Sequence, residues 1–247
     1  MRKILFIAGT HGNEEYAIEV MRRIETDYAP DTYGYDWIIG NPRAVEKGLR
    51  FTEKDLNRSA PGNLNSEYYE ERRAAEIIQL SAEYELVIDL HGTDADCGLV
   101  NIIPHPTRRN IELAEAVPLS RNVVWYSDLS QTAGPLVQHT HCPGVEIECG
   151  PKGSDRIANE LRWIIENILK ANANGRFTVA KPIKQSFYMV YGSIKGSLDE
   201  SLHDFQLATH DDESFFPFLS RNQYTDKTCY KMRKTNSDEI EFTDELP

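Results

Sequence analysis

The chain is poor in basic charge, in cysteine and in long apolar runs. Of its 247 residues, 27 are Lys or Arg against 39 Asp or Glu, a formal net charge of −12. That surplus argues against non-specific binding to nucleic acid or to an anionic membrane surface, although a few arginines in a cleft still suit an anionic small molecule. No stretch approaches the roughly 18 apolar residues of a membrane helix. The four cysteines, Cys97, Cys142, Cys149 and Cys229, form no CxxC pair. Nothing points to a disulfide framework, and reduced thiols are the expected state. The apolar run after the basic start "MRK" is too short for the core of a signal peptide, so a cytoplasmic location is expected.

What is present is an alternation of strands and helices. "KILFIA" is a continuous apolar run bounded by glycine, the mark of a strand covered on both faces. Ala17, Val20, Met21 and Ile24 then recur at helical spacing, with Glu14 and Glu15 in the first turn, where the helix dipole favours acids. "YDWIIG", "LVIDL", "GLVNII", "NVVWY" and "GVEIE" read as further strands, with helices expected near residues 67–84 and 109–116. Residues 41–63 read as a long loop with one helical turn, and loops of that length in a compact domain are usually functional or disordered. "SDRIANELRWIIENILKAN" gives the clearest helical stripe, with Ser154 as the expected N-cap. The pattern predicts an α/β domain over residues 1–172 with a mostly parallel sheet and helices on both faces. "ANANGR" reads as a linker, and residues 176–247 as a small β-rich domain built on "RFTVA", "QSFYMVYG", "FFPFLS" and "KTCYKM", with an acidic, frayed or edge-forming tail.

In open α/β sheets ligands bind at the carboxyl ends of the strands. Four such ends carry reactive side chains: His11 and Glu14 in "GTHGNEE", His91 in "LVIDLHG", Glu148 in "GVEIECG", and the loop bearing Arg43, Arg50, Asp55, Asn57 and Arg58. Two imidazoles and a carboxylate make the ligand set of a catalytic zinc with one open position. Positions i and i+3 of a first helical turn share a face, and Gly9 and Gly12 allow a sharp turn out of the strand. Asp89, two residues before His91, points to the same side of a strand and is placed to orient that imidazole. Blander roles remain open for each. His-x-x-Glu recurs by chance, Glu14 suits a helix N-terminus, and Asp89 suits a buried acid bonded to backbone. The arginines suit a solvated loop, and Glu146 with Glu148 a polar strand edge.

Taken together, "GTHGNE", "NPRA", "RFTEKDLNR", "DLHGT" and "IECGP", in this order and spacing over residues 9–153, resemble the aspartoacylase and succinylglutamate desuccinylase family of zinc carboxypeptidase-like hydrolases. The resemblance implies a mixed, mostly parallel sheet sandwiched by helices, followed by a small C-terminal β-rich domain that narrows the site entrance. It implies one Zn2+ per chain held by His11, Glu14 and His91, with Glu148 as general base and then acid. Arg50 would polarise the scissile carbonyl, Asn57 and Arg58 would bind a substrate carboxylate, and Asp55 would brace their loop. The implied reaction is hydrolysis of a small N-acyl amino acid. A metallocarboxypeptidase acting on short peptides or murein stems, or a non-catalytic zinc-binding module, are the alternatives.

The sequence departs from the family pattern in more than one respect: a late tyrosine that some members use has no secure counterpart, and the chain is short for the family. The family carries a further substrate-binding arginine before the catalytic glutamate, and here that stretch is "LVQHTHCPG", with Gln138, His139 and His141. Lys152 and Tyr230 are the remaining candidates for substrate contact. The two histidines read as a polar rim rather than a second metal position. A homo-oligomer is left open.

Overall fold

The structure, a computed structural model, describes residues 1–126, 134–175, 184–195, 202–220 and 227–243. Strand β1 (Ile4–Ala8) is buried along its whole length, and its alternation divides the core. Ile4, Phe6 and Ala8 pack with Met21 and Ile24 of α1 (Glu15–Asp27) and with Leu161 and Ile165 from further along the chain. Leu5 and Ile7 face the other way, against Ala74, Ile77 and Ile78. A strand so covered must be apolar on both faces, which is why "KILFIA" has no polar position.

The chain continues through α2 (Pro30–Tyr33), β2 (Tyr35–Ile39), α3 (Pro42–Lys47) and α4 (Tyr69–Ser81). Next come β3 (Leu86–Gly92), β4 (Gly98–Ile103), α5 (Arg108–Ala116), β5 (Arg121–Val124), β6 (Gly144–Gly150) and α6 (Asp155–Ala173). The C-terminal region adds β7 (Ser186–Lys195), β8 (Ala208–His210), β9 (Glu213–Phe218) and β10 (Lys227–Thr235). The sheet runs β2-β1-β3-β6-β4-β5-β7-β10-β9-β8. It is parallel from β2 to β6 and again from β4 through β5 to β7, and antiparallel between β6 and β4 and from β7 to β8. It is therefore mixed and mostly parallel in its N-terminal part. Helices α1, α5 and α6 contribute to the core on one face, and α4 covers the other.

Register positions the chemistry. Asp89 lies opposite Ile7 on β1 and Glu146 on β6, His91 opposite Glu148, and Glu148 opposite Val100 on β4. Cross-strand neighbours share a face. Asp89, His91, Glu146 and Glu148 thus sit on the α4 side, between the cluster around Ile7 and the cluster around Val100.

Several local expectations are corrected. The loop over residues 41–63 holds more helix than one turn. Asn41 caps α3 by accepting from Ala44 N–H at 3.1 Å, Pro42 opens the helix, Gly48 closes it in the left-handed conformation, and a 3-10 turn follows at Leu56–Arg58. Ser154 stands at the N-cap of α6 but makes no capping bond through its side chain. "ANANGR" is not a linker at its start, because α6 runs through Ala173. Asn172 explains the extension. It is 1% exposed, its amide donates to Arg2 O at 2.8 Å and Tyr33 O at 2.9 Å, and its oxygen accepts from Arg2 N–H at 2.8 Å. The strand expected at residues 176–180 lies outside the described residues. β7 pairs in parallel with β5, so the C-terminal strands extend the same sheet. Nor is the acidic tail wholly frayed: Ile240 is buried in the main core. Among the described residues no helix is long and apolar enough to cross a membrane.

Replacing Asn172 by Ala removes three part-buried hydrogen bonds, two to the carbonyls of Arg2 and Tyr33 and one from the Arg2 N–H. The expected loss is about 2–3 kcal/mol, read as a lower urea midpoint with an unchanged slope. A midpoint equal to the wild type contradicts this account.

Candidate active site

The chain leaves β1 through Gly9, at φ 70°, and turns at residues 11–14, closed by Glu14 N–H donating to His11 O at 3.2 Å. A Cβ on Gly12 would lie 2.1 Å from the Ala44 carbonyl carbon, so only glycine lets the turn pack against α3. His11 and Glu14 meet through this turn rather than within a helix, since α1 starts at Glu15. Glu14 holds the N-cap position but makes no capping bond. Its carboxylate points inward instead.

One Glu14 oxygen lies 2.8 Å from His11 Nδ1; the other lies 3.5 Å from His91 Nδ1 and accepts from Gly92 N–H at 2.9 Å. Ligand atoms of His11, Glu14 and His91 all fall within 4.8 Å of one another, and all three residues are buried. The far ring nitrogens are held by two other carboxylates. His11 Nε2 lies 3.0 Å from Asp55 Oδ1, and His91 Nε2 lies 3.0 Å from Asp89 Oδ2. Asp89 is fixed in turn by Thr10, whose hydroxyl donates to Oδ1 at 2.8 Å. Carboxylates on the outer nitrogens leave both Nδ1 atoms facing Glu14, the arrangement that orients imidazoles toward a cation. The donor set fits a divalent metal ion.

Glu148 stands beside this cluster, and its Oε1 is buried with no hydrogen-bond partner among the described residues. Burial, reinforced by the charges of Glu14 and Glu146, pushes its carboxyl up to about 8. Burial also acts to push His11 and His91 down, but Glu14 with Asp55 and Asp89 with Glu14 outweigh it, and both imidazoles end above their ordinary range. For Glu14 and Asp55 burial opposes ionisation, yet the neighbouring imidazoles, with Arg50 in the case of Asp55, hold them below the usual carboxylate range.

Arg50 donates to Asp55 Oδ2 from Nη2 at 3.0 Å and from Nε at 3.3 Å, and its Nη1 lies 3.8 Å from Glu14 Oε1. Its loop is anchored from below by buried Glu70, which accepts from the Thr52 hydroxyl at 2.6 Å and from the backbone of Thr52, Glu53 and Lys54.

A family model for the succinylglutamate desuccinylase/aspartoacylase catalytic domain matches residues 1–171. The protein named "Probable aspartoacylase" from Prochlorococcus marinus is 31% identical over 232 residues, covering 82% of this chain and 75% of its own. The chain belongs to the succinylglutamate desuccinylase/aspartoacylase family. Solved structures carry the same fold. Murine aminoacylase 3 superposes with a TM-score of 0.72 at 17% identity, covering 95% of each chain. The succinylglutamate desuccinylase of Chromobacterium violaceum gives 0.72 at 19%, over 95% of this chain and 85% of that one.

Within this desuccinylase/aspartoacylase frame the remaining candidates are dispersed. Asn57 is buried, its amide donating to Glu146 Oε1 at 2.7 Å and its oxygen accepting from Leu136 N–H at 2.9 Å. Arg58 is exposed and donates to the Asn57 carbonyl at 2.6 Å. Lys152 Nζ lies 3.4 Å from Asp94. Tyr230 stacks edge-on with Trp125, centroids 4.3 Å apart. His139 and His141 precede β6, away from the end that carries Glu148, and line a cavity of about 100 Å³ with His105 and Arg109.

The sequence reading missed three contributors. Glu146 is no polar edge; it is 6% exposed and lies 3.8 Å from His91 Nε2. Glu70 looks like any first-turn helix acid, and no local signal marks it. Tyr16 donates to His91 O at 2.5 Å and reaches Cys149, next to Glu148. It fills the space that a Cβ on Gly92 would occupy, 2.6 Å from the ring. "HG" at the strand end was the one hint.

The raised Glu148 pKa links to stability with a definite sign. The folded metal-free protein keeps this proton up to about pH 8, whereas an unfolded chain releases it near 4.5. The contribution is present below the unfolded value and is lost as pH rises across that window. Glu148→Gln is expected to flatten the fall in metal-free stability between about pH 5 and pH 8, followed by chemical denaturation. An unchanged slope contradicts the assignment.

Proposed function

We propose that the protein is a zinc-dependent hydrolase that cleaves the amide bond of a small N-acyl amino acid, releasing a carboxylate and a free amine. The observation that carries this reading is the buried, unpartnered oxygen of Glu148 beside the convergent His11, Glu14 and His91. Those three residues would hold a zinc ion, which would supply Lewis acidity and lower the pKa of a nearby water toward ~7.

The residues of the chain do the rest. Glu148 takes the proton that leaves the attacking water and delivers it to the nitrogen of the departing amine, so the proton balance closes on one carboxyl. A pKa of about 8 in the metal-free site falls when positive charge is added nearby. That would bring the pKa of Glu148 nearer to pH 7, where the carboxyl can both accept and return a proton. Arg50, kept in place by Asp55 beside Glu14, presents its guanidinium to the oxygen on which negative charge develops. Arg58 offers a planar fork for the substrate carboxylate, joined by the second amide hydrogen of Asn57. Asp55 and Asp89 orient the two imidazoles. Lys152 and Tyr230 are assigned to the substrate periphery, and the β-rich unit over residues 176–247 to the shaping of the entrance.

Glu148→Gln is expected to retain one zinc per chain by metal analysis while kcat on N-acetyl amino acids falls by about 100- to 10,000-fold. Arg50→Ala is expected to lose roughly 100- to 1,000-fold. Turnover in the glutamine variant within tenfold of wild type contradicts the mechanism. Activity on short peptides without activity on acyl amino acids moves the protein to the carboxypeptidase reading.

A further inference from the structure

Glu70 lies in the first turn of α4, where an acid ordinarily serves its own helix N-terminus. Here its bonds go elsewhere. Its Oε1 accepts from the Thr52 hydroxyl at 2.6 Å, from Thr52 N–H at 2.8 Å and from the Asn41 amide at 3.2 Å. Its Oε2 accepts from Lys54 N–H at 3.2 Å, and Glu53 N lies 3.3 Å from both oxygens. Three successive backbone N–H groups thus converge on one carboxylate, a concave anion seat of the kind that consecutive peptide groups form. The exchange is reciprocal. The carboxylate of Glu53 accepts from Tyr69 N–H at 2.6 Å and satisfies an open donor at the start of α4. Glu70 is fully buried. Burial opposes its ionisation, but the donors of Thr52, Asn41 and Lys54 outweigh it and hold the carboxyl below its ordinary range.

This seat lies between the two side chains that the loop sends to the site. Arg50 stands just before Thr52, and Asp55 directly follows Lys54. Asp55 holds two partners at once. Its Oδ1 lies 3.0 Å from His11 Nε2, and its Oδ2 accepts from Arg50 Nη2 at 3.0 Å. The Arg50 carbonyl accepts from Gly12 N–H at 3.3 Å, in the turn that carries His11. Asn41, held by Glu70, caps α3, and α3 packs against Gly12. We infer that Glu70 is a positioning residue for the site, acting through Asp55 on the His11 imidazole and on the Arg50 guanidinium. Its effect on turnover rests on the deacylase reading above, whereas its effect on metal binding rests on the His11–Glu14–His91 cluster alone. The alternative is a purely stabilising contact, which would lower the resistance to unfolding and leave the site of the folded molecule unaltered. The seat ends on the residue next to Asp55, and that adjacency favours positioning.

Glu70→Gln tests this with little change of volume. The amide sets an NH2 group against N–H donors, so part of the seat is lost. Zinc affinity of the folded variant, measured by chelator competition, is expected to weaken at least about fivefold. On N-acetyl amino acids, kcat of the zinc-saturated variant is expected to fall at least about fivefold while KM stays within about threefold. Asp55→Ala is expected to weaken zinc by about 10- to 100-fold. Adding Glu70→Gln to Asp55→Ala is expected to change zinc affinity by no more than about twofold, because the residue through which Glu70 acts is gone. A smaller loss of zinc affinity in the folded single variant overturns the inference, and so do losses that multiply in the double variant. If Glu70→Gln does not fold, Thr52→Val removes the hydroxyl bond alone and enters the same cycle. A loss of at least about threefold is then expected, and a smaller one overturns the inference. Hydrolysis by a protein whose zinc affinity ignores Glu70 sinks this inference and leaves the deacylase reading intact. Zinc affinity coupled through Asp55, in a protein that hydrolyses no acyl amino acid, leaves the positioning role standing and sinks the deacylase reading.

Discussion

Two imidazole rings must present the same kind of nitrogen to one carboxylate, and the site is built to meet that constraint. His11 and His91 are clamped from behind, at Nε2, by Asp55 and Asp89 at 3.0 Å each. Their Nδ1 atoms are thereby turned toward Glu14 at 2.8 and 3.5 Å. A free histidine side chain would sample several rotamers and two tautomers; here each ring has its outer nitrogen committed. The architecture serves this arrangement. Parallel pairing brings the ends of β1, β3 and β6 together, and the register that sets His91 opposite Glu148 also sets Asp89 opposite Glu146.

Gathering acidic groups in a buried place is unfavourable, and the chain offsets it in stages. Imidazoles hold Glu14 and Asp55 ionised, whereas Glu148 is left to keep a proton. The loop that delivers Arg50 and Asp55 is tied to α4 by Glu70, so the position of the arginine depends on a residue that touches nothing reactive. Tyr16 does the same from the opposite face, linking the start of α1 to the His91 carbonyl and to Cys149. The site is thus fastened from both sides of the sheet.

Much of this was legible in the sequence because it rests on short-range patterns. The apolar runs give β1, β3 and β6, helical spacing gives α1 and α6, and reactive residues at strand ends mark the site. What stayed hidden depends on distant partners. Asn172 continues α6 only because Arg2 and Tyr33 lie within hydrogen-bond reach. Glu146 shares its alternation with any exposed strand edge, and only the packing of Asn57 and the turn after Gly134 shows that it is buried. Glu70 and Tyr16 occupy ordinary helical positions, and their partners are fixed by tertiary packing. Tyr230 and Lys152, chosen for residue type alone, are engaged with Trp125 and Asp94.

The central claim is that one cation is gripped by two histidine nitrogens and one glutamate oxygen. X-ray absorption at the zinc edge of the zinc-loaded protein tests it most directly. The account predicts a light-atom shell only, with two imidazole nitrogens at about 2.0–2.1 Å and carboxylate or water oxygen at about 2.0–2.2 Å. A sulfur neighbour near 2.3 Å, which would bring in Cys97 or Cys149, or a shell with no imidazole scattering, would contradict it.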